Sequence, residues 1–158
     1  MEISIDSEFE RQLLPLAEAE QAILEQSLVT EGCRDPLIVW ENAGKQTLVD
    51  GHNRYGICRK HEIPYDVVSK RFSSREEVSD WIDRNQVGRR NVSPGDFKIL
   101  SGRIYNRAKN SHGVRGNALK KMGQVDPSFS RVREQVASGL GVSDGTIKRN
   151  AKRADIYD

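Results

Sequence analysis

The stretch Leu48-Val-Asp-Gly-His-Asn-Arg-Tyr-Gly-Ile-Cys58 decides how the N-terminal half of this chain is read. Leu48 and Val49 close a short apolar run, Asp50-Gly51 is turn chemistry, and Tyr55, Ile57, Cys58 and His61 follow at roughly helical spacing. A strand that turns at a glycine into a helix leaves the first helical N–H groups without internal partners. With the positive end of the helix dipole, those groups form a seat for phosphate. Gly51 permits close backbone approach, and Arg54 brings a fork of donors suited to phosphate oxygens. His52 and Asn53 stand beside the same point. The alternative is a plain helix start, capped by Asp50 with Arg54 in solvent.

Working outward, the chain has 158 residues, 36% apolar and 30% charged, enough for a modest core under a charged surface and well short of a disordered composition. The net charge of +2 hides an asymmetry. Residues 1–70 carry 7 Lys/Arg against 13 Asp/Glu, a net of −6, and residues 71–158 carry 18 against 10, a net of +8. A basic C-terminal half suggests a polyanionic partner there; a solvated basic face is the plainer alternative. Cys33 and Cys58 are too few for a disulfide scaffold. The acidic start Met1-Glu-Ile-Ser-Ile-Asp6 does not resemble a secretory signal, and no apolar run could cross a bilayer, so a cytoplasmic protein without a membrane partner is expected.

Residues 3–14 begin extended and lead to Pro15, which suits a helix's first turn. The helix over Leu16–Glu31 would present Leu16, Ala19, Ile23, Leu24 and Leu28 on one face and stop at Gly32. Leu37-Ile-Val-Trp40 and Thr47-Leu-Val49 read as a hairpin turned by Asn42-Ala-Gly44. Ile63–Val68 is a third strand, placed at an edge by Pro64. Ser74 opens a helix carrying Val78, Trp81 and Ile82 on one face. Ser93 and Pro94 open another, with Phe97, Leu100, Ile104 and Ala108 inward. Residues 109–130, rich in Gly, Lys, Asn and Ser, read as a basic loop.

Residues 133–152 have the layout of a helix-turn-helix. Ala137 is small where two helices cross, Gly141 turns the chain, Val142 plugs the turn, Ser143 caps the second helix and Ile147 returns to the core. The second helix would then present Ser143, Asp144, Thr146, Lys148 and Arg149 to a major groove, with Lys152 and Arg153 near phosphates. A helical hairpin without DNA is the competing reading.

Three stretches together resemble the ParB/sulfiredoxin-like family in its short, phage- and plasmid-type ParB-like form. Glu31-Gly-Cys-Arg-Asp-Pro-Leu-Ile-Val39, after a helix, is similar to the family's glycine-then-strand opening. Asp50-Gly-His-Asn-Arg-Tyr55 stands where partition proteins carry G-E-R-R and sulfiredoxins G-C-H-R. Arg84-Asn-Gln-Val-Gly-Arg-Arg-Asn-Val-Ser-Pro94 is similar to the E-N-x-x-R box before the DNA-binding helices. The resemblance implies an α+β protein: a small mixed α/β domain over residues 1–88, then an all-helical region over 89–158 ending in the helix-turn-helix. It further implies CTP with magnesium as cofactor, with ATP the alternative that the sequence leaves open. Gly51, Arg54, Asn85 and Arg89 carry over as candidate phosphate-binding residues, Asn85 also as a candidate magnesium contact, and His52 and Asn53 join them from their place beside the turn. His52 occupies the place of the sulfiredoxin cysteine, so reductase chemistry is not implied.

The function expected is that of a DNA-binding ParB-like protein in partition or transcriptional regulation, self-associating, and switched by nucleotide at Gly51–Arg54. Two alternatives stand beside it. One is an enzyme, a CTPase-like hydrolase or a nuclease with His52 as its acid/base. The other is a protein-interaction module with a decayed nucleotide site. Cys58-x-x-His61 has ligand-like spacing but lacks a fourth ligand, so zinc is not expected.

Overall fold

The Ala43-Gly44 turn, with φ of 49° and 77°, joins β2 (Leu37–Asn42) to β3 (Lys45–Asp50). Two successive positive φ values match the twist of antiparallel strands, so a tight hairpin forms. The computed structural model of the chain describes residues 3–88, 92–111 and 127–157, with side chains from Ser130 onward in the last segment. By contacts the chain divides into two units, Met1–Ile82 and Asp83–Asp158.

In the first unit the hairpin is the middle of a four-stranded sheet ordered β1-β3-β2-β4. β1 (Ile3–Ser4) lies parallel to β3, with Ile3 opposite Gln46. β4 (Val67–Lys70) lies parallel to β2, with Leu37 opposite Val67. Both faces of the central hairpin are covered, which is why β2 reads as a continuous apolar run, whereas β4 is exposed. Leu37, Val39 and Leu48 pack with Ile3 and Tyr55 on one face. Trp40 and Val49 pack with Phe9, Val78 and Ile82 on the other.

The helices of this unit are α1 (Ser7–Gln12), α2 (Glu18–Glu31), α3 (His52–His61) and the start of α4 (Arg75–Val87). Residues 3–14 thus begin extended, as β1, and then form α1, a helix that the sequence reading did not include. Asp6 caps α1, accepting from the N–H of Glu8 at 3.0 Å, and Phe9 is fully buried against Trp40. Pro15 lies before α2 rather than in its first turn. α2 begins at Glu18, after Glu20 accepts from the N–H of Ala17 at 3.0 Å. It ends at Gly32 as expected, at φ 79°. Its inward face is narrower than the sequence suggests: Leu28 is buried, whereas Ile23 is 69% exposed and Ala19 is exposed. The third strand is an edge strand but starts later, Ile63 and Pro64 leading into it as coil. Ser74 caps α4 through the N–H of Glu77 at 3.2 Å.

The second unit contains the end of α4, α5 (Pro94–Ser111), α6 (Pro127–Gly139) and α7 (Asp144–Tyr157). Ser93 caps α5, accepting from the N–H of Asp96 at 3.1 Å, with Pro94 the first helical residue. The loop read over 109–130 is shorter at both ends: α5 runs through Ser111 and α6 already starts at Pro127. Residues 112–126 lie outside the described residues. The core joins Ile104 and Tyr105 of α5 to Val132, Val136 and Ala137 of α6 and to Ile147 and Ala151 of α7. Asp83 is fully buried and takes a hydrogen bond from Arg107.

Candidate functional site

Gly51 is the N-cap of α3 in the left-handed region, φ 95°, and no side chain caps the first turn. A Cβ here would lie 2.6 Å from Leu37 Cδ2 and 3.1 Å from Arg54 Nη2, so the position requires glycine. Asp50 is thus not the cap. Its carboxylate instead accepts from Arg54 Nη2 at 3.3 Å, and the same nitrogen donates to the Pro36 carbonyl at 3.2 Å. Arg54 is therefore not merely solvated: its guanidinium folds back over Gly51 and ties the start of α3 to the entry of β2. Its Nε is buried without a hydrogen-bond partner.

Both ring nitrogens of His52 are likewise buried and unpartnered. Burial pushes this imidazole below its ordinary value of 6.5, against the opposing pull of the Glu10 and Asp50 charges. A neutral histidine beside an uncapped helix start is the result. His52, Asn53, Gly56 and Lys60 on α3, with Gln21 and Glu25 on α2, line a recess of about 260 Å³. Across it Glu25 accepts from Lys60 at 2.7 Å and contacts His61 at 2.5 Å. These two partners hold the Glu25 carboxyl below its usual range.

Cys58 is buried in α3 with Cys33 nearby, a proximity that the separation in sequence did not suggest, and the Cys33 thiol donates to the Asp35 carbonyl at 3.4 Å. Among the described residues no three His, Cys, Asp or Glu side chains gather as a metal site. Asn85, the candidate magnesium contact, is half-buried on the part of α4 belonging to the second unit. Arg89, and Arg90 beside it, lie outside the described residues.

In the second unit, Gly141 at φ 66° turns the chain between α6 and α7, and the Val142 N–H donates to the Ala137 carbonyl at 2.9 Å. Ser143 Oγ accepts from the Thr146 N–H at 3.3 Å. α7 has two distinct sides. Ile147, Asn150, Ala151 and Ala154 are buried; Ser143, Lys148, Arg149, Lys152 and Arg153 are exposed. Among the described residues Lys148, Lys152 and Arg153 have no hydrogen-bond or ion-pair partner, which leaves three cations free on one face. Asp144 departs from the sequence reading. It does not stand free toward solvent but accepts from Arg133 Nε on α6 at 2.8 Å. Sequence reasoning missed this partner, as well as Asn106, which donates to the Ala151 carbonyl at 3.2 Å and to Asp155 at 2.8 Å. Contacts between different helices leave no periodic signal that could have revealed them.

No protein-family model and no curated protein matches the sequence. Among solved structures, the mixed α/β unit and the helices after it are similar in fold to ParB N-domains. A pNOB8-like ParB-N domain matches 96% of this chain at 18% identity, with a TM-score of 0.67. A second pNOB8-like ParB N-domain structure gives 0.64, also at 18% identity and over 94% of this chain. C-terminally truncated ParB from Caulobacter crescentus, complexed to the centromeric parS site, gives 0.51 at 13% identity, over 94% of this chain and 66% of its own. The chain spans 65% and 60% of the two pNOB8-like chains. This protein has a ParB-like fold, as the three sequence boxes suggested. Among the described residues no helix is long and apolar enough to cross a membrane.

Proposed function

We propose that this protein is a ParB-like DNA-binding protein, acting in partition or transcriptional regulation, that holds duplex DNA against α7. The observation that carries the reading is the free cationic face of that helix, Lys148, Lys152 and Arg153, beside Arg149. Cations on one face of a helix that follows a tight turn match the way such helices meet a groove and its phosphates. The ParB-like fold supports the reading, and the Caulobacter crescentus relative is a complex with its centromeric site.

The second part of the proposal is an anion seat at the start of α3. The uncapped first turn and the unpartnered Nε of Arg54 suit a phosphate, such as that of CTP or ATP with magnesium. A bound triphosphate would supply negative charge, and its magnesium ion would partly neutralise that charge. The chain's own contribution is the first-turn N–H groups and a braced guanidinium.

The test is fluorescence anisotropy on labelled duplexes across a salt series. The expected result is binding whose affinity falls linearly in log–log form with salt, the slope dropping by about one for Lys152→Ala or Arg153→Ala. Absence of duplex binding at low salt would overturn the DNA reading. Calorimetry with CTP and ATP, each with magnesium, tests the anion seat separately.

A further inference from the structure

Within α7, the four cations are not equivalent. Arg149 Nη2 donates to Thr146 Oγ1 at 3.2 Å, and Thr146 Oγ1 lies 2.9 Å from Ser143 Oγ, the cap of the helix. Ser143, Thr146 and Arg149 thus form one chain of hydrogen bonds along an exposed edge of the helix. It draws the guanidinium back toward the N-terminal end of α7. That end is the part of such a helix that reaches base edges. Lys148, Lys152 and Arg153 have no such anchor.

The acid next to this chain is already occupied. Asp144 lies four residues before Lys148, close enough along the helix to compete for that cation. Arg133 on α6 takes it instead, at 2.8 Å. The cross-helix ion pair therefore leaves the α7 cations to an external anion. It also offsets a negative charge at the end of the helix that would approach DNA.

We infer that Arg149 is the base-reading residue of α7, set by Thr146 to meet a guanine edge in the major groove, while Lys148, Lys152 and Arg153 hold phosphates. An arginine has five N–H donors, and the bond to Thr146 uses one, leaving enough for the bidentate contact to guanine O6 and N7. Holding the guanidinium beforehand reduces the ordering cost on binding. The inference rests on the DNA-binding reading above and deepens it.

The experiment is selection of preferred sites from a randomised duplex pool by the full chain, followed by anisotropy on the selected site and an unrelated duplex. Wild type, Arg149→Ala, Arg149→Lys, Thr146→Val and Lys152→Ala are compared. Wild type should select a site containing an essential G·C pair. Arg149→Ala should weaken the selected site by about tenfold to a hundredfold and lose preference at that one pair. Arg149→Lys keeps the charge without the fork, so it should keep affinity for the unrelated duplex and still lose that preference. Thr146→Val should shift the same pair in the same direction by a smaller factor. Lys152→Ala should weaken both duplexes equally.

Two results would overturn the inference while DNA binding stands. Either Arg149→Lys retains full discrimination, or Arg149→Ala weakens both duplexes by the same factor. Failure of wild type to bind any duplex would remove the functional reading itself, and the inference with it.

Discussion

The side-chain amide of Asn150 on α7 donates to the hydroxyl of Ser101 on α5 at 2.9 Å, and both residues are almost fully buried. Ser101 in turn donates to the carbonyl of Lys98 at 3.2 Å, so this polar pair is satisfied inside an apolar helix packing. The pair is possible because the neighbour of Ser101 is Gly102. A Cβ at Gly102 would lie 2.7 Å from the Asn150 carbonyl carbon and 2.9 Å from Ala154 Cβ. Glycine here lets the backbones of α5 and α7 touch, which fixes the side of α7 that faces out.

Gly102→Ala should therefore destabilise the second unit despite alanine's better helix propensity. The gain from propensity is about 1 kcal/mol, whereas forcing a methyl into a closed backbone contact typically costs about 1–3 kcal/mol and often more for so close an approach. Ser101→Ala should cost about 1–3 kcal/mol, since it leaves the buried Asn150 amide without its acceptor. Urea unfolding of the full chain, followed by circular dichroism, reads both. A variant as stable as wild type would show that the helices are free to separate there.

At the other site, Gly51→Ala places a side chain at φ 95° and against Leu37. The left-handed backbone and the contact together should cost about 2–4 kcal/mol. Arg54→Ala should also cost stability, about 1–2 kcal/mol, because the Pro36 carbonyl and the Asp50 carboxylate lose a shared donor. A nucleotide-binding assay on Arg54→Ala alone would thus mix unfolding with lost affinity. Melting curves run beside it separate the two. A loss of binding at unchanged melting temperature would assign Arg54 to the ligand rather than to the fold.

The brace shows where sequence reading ends. The hairpin, the glycine turn and α3 were legible because each is encoded by local chemistry: an apolar run, a turn pair, a helical period. That Arg54 would reach a carbonyl 18 residues away was not, since it depends on where β2 begins beside Gly51. α1 was missed for the same reason. Its six residues are too few to show a period, and Phe9 is held by Trp40 on the face of the sheet rather than by its own helix. The apolar stripe assigned to α2 failed differently. The period was real, but α2 packs on α3 over a narrow strip, leaving Ile23 outside. In the helical unit the cap, turn and core positions of α7 were legible, and the Arg133–Asp144 pair was not.

His52 makes stability depend on pH. Burial lowers its folded-state pKa below 6.5, so the unfolded chain binds a proton first as pH falls. The side chain's contribution is fully present above about pH 6.5 and is lost progressively below it, down to the folded value. His52→Asn removes this titration. The urea midpoint of wild type should therefore fall more between pH 7.5 and pH 5.5 than that of the variant. Parallel decreases in the two proteins would mean that His52 is protonated as readily folded as unfolded.

The two cysteines should differ in reactivity. Burial, then the nearby Cys33 thiol, pushes the Cys58 thiol up to about 11, although the Arg54 charge pulls the other way. Thiolate is the reactive form, so at pH 8 Cys58 is almost wholly the inert thiol, besides being closed to solvent. Cys33 is only half-buried, on the segment between α2 and β2. Iodoacetamide on the native protein should modify Cys33 alone, and both residues once urea has unfolded the chain. Mass spectrometry of the peptides distinguishes them. Equal native labelling would show that α3 opens on the timescale of the reaction. In that case the buried face that holds Tyr55, Ile57 and Cys58 would not keep the Gly51 turn in place.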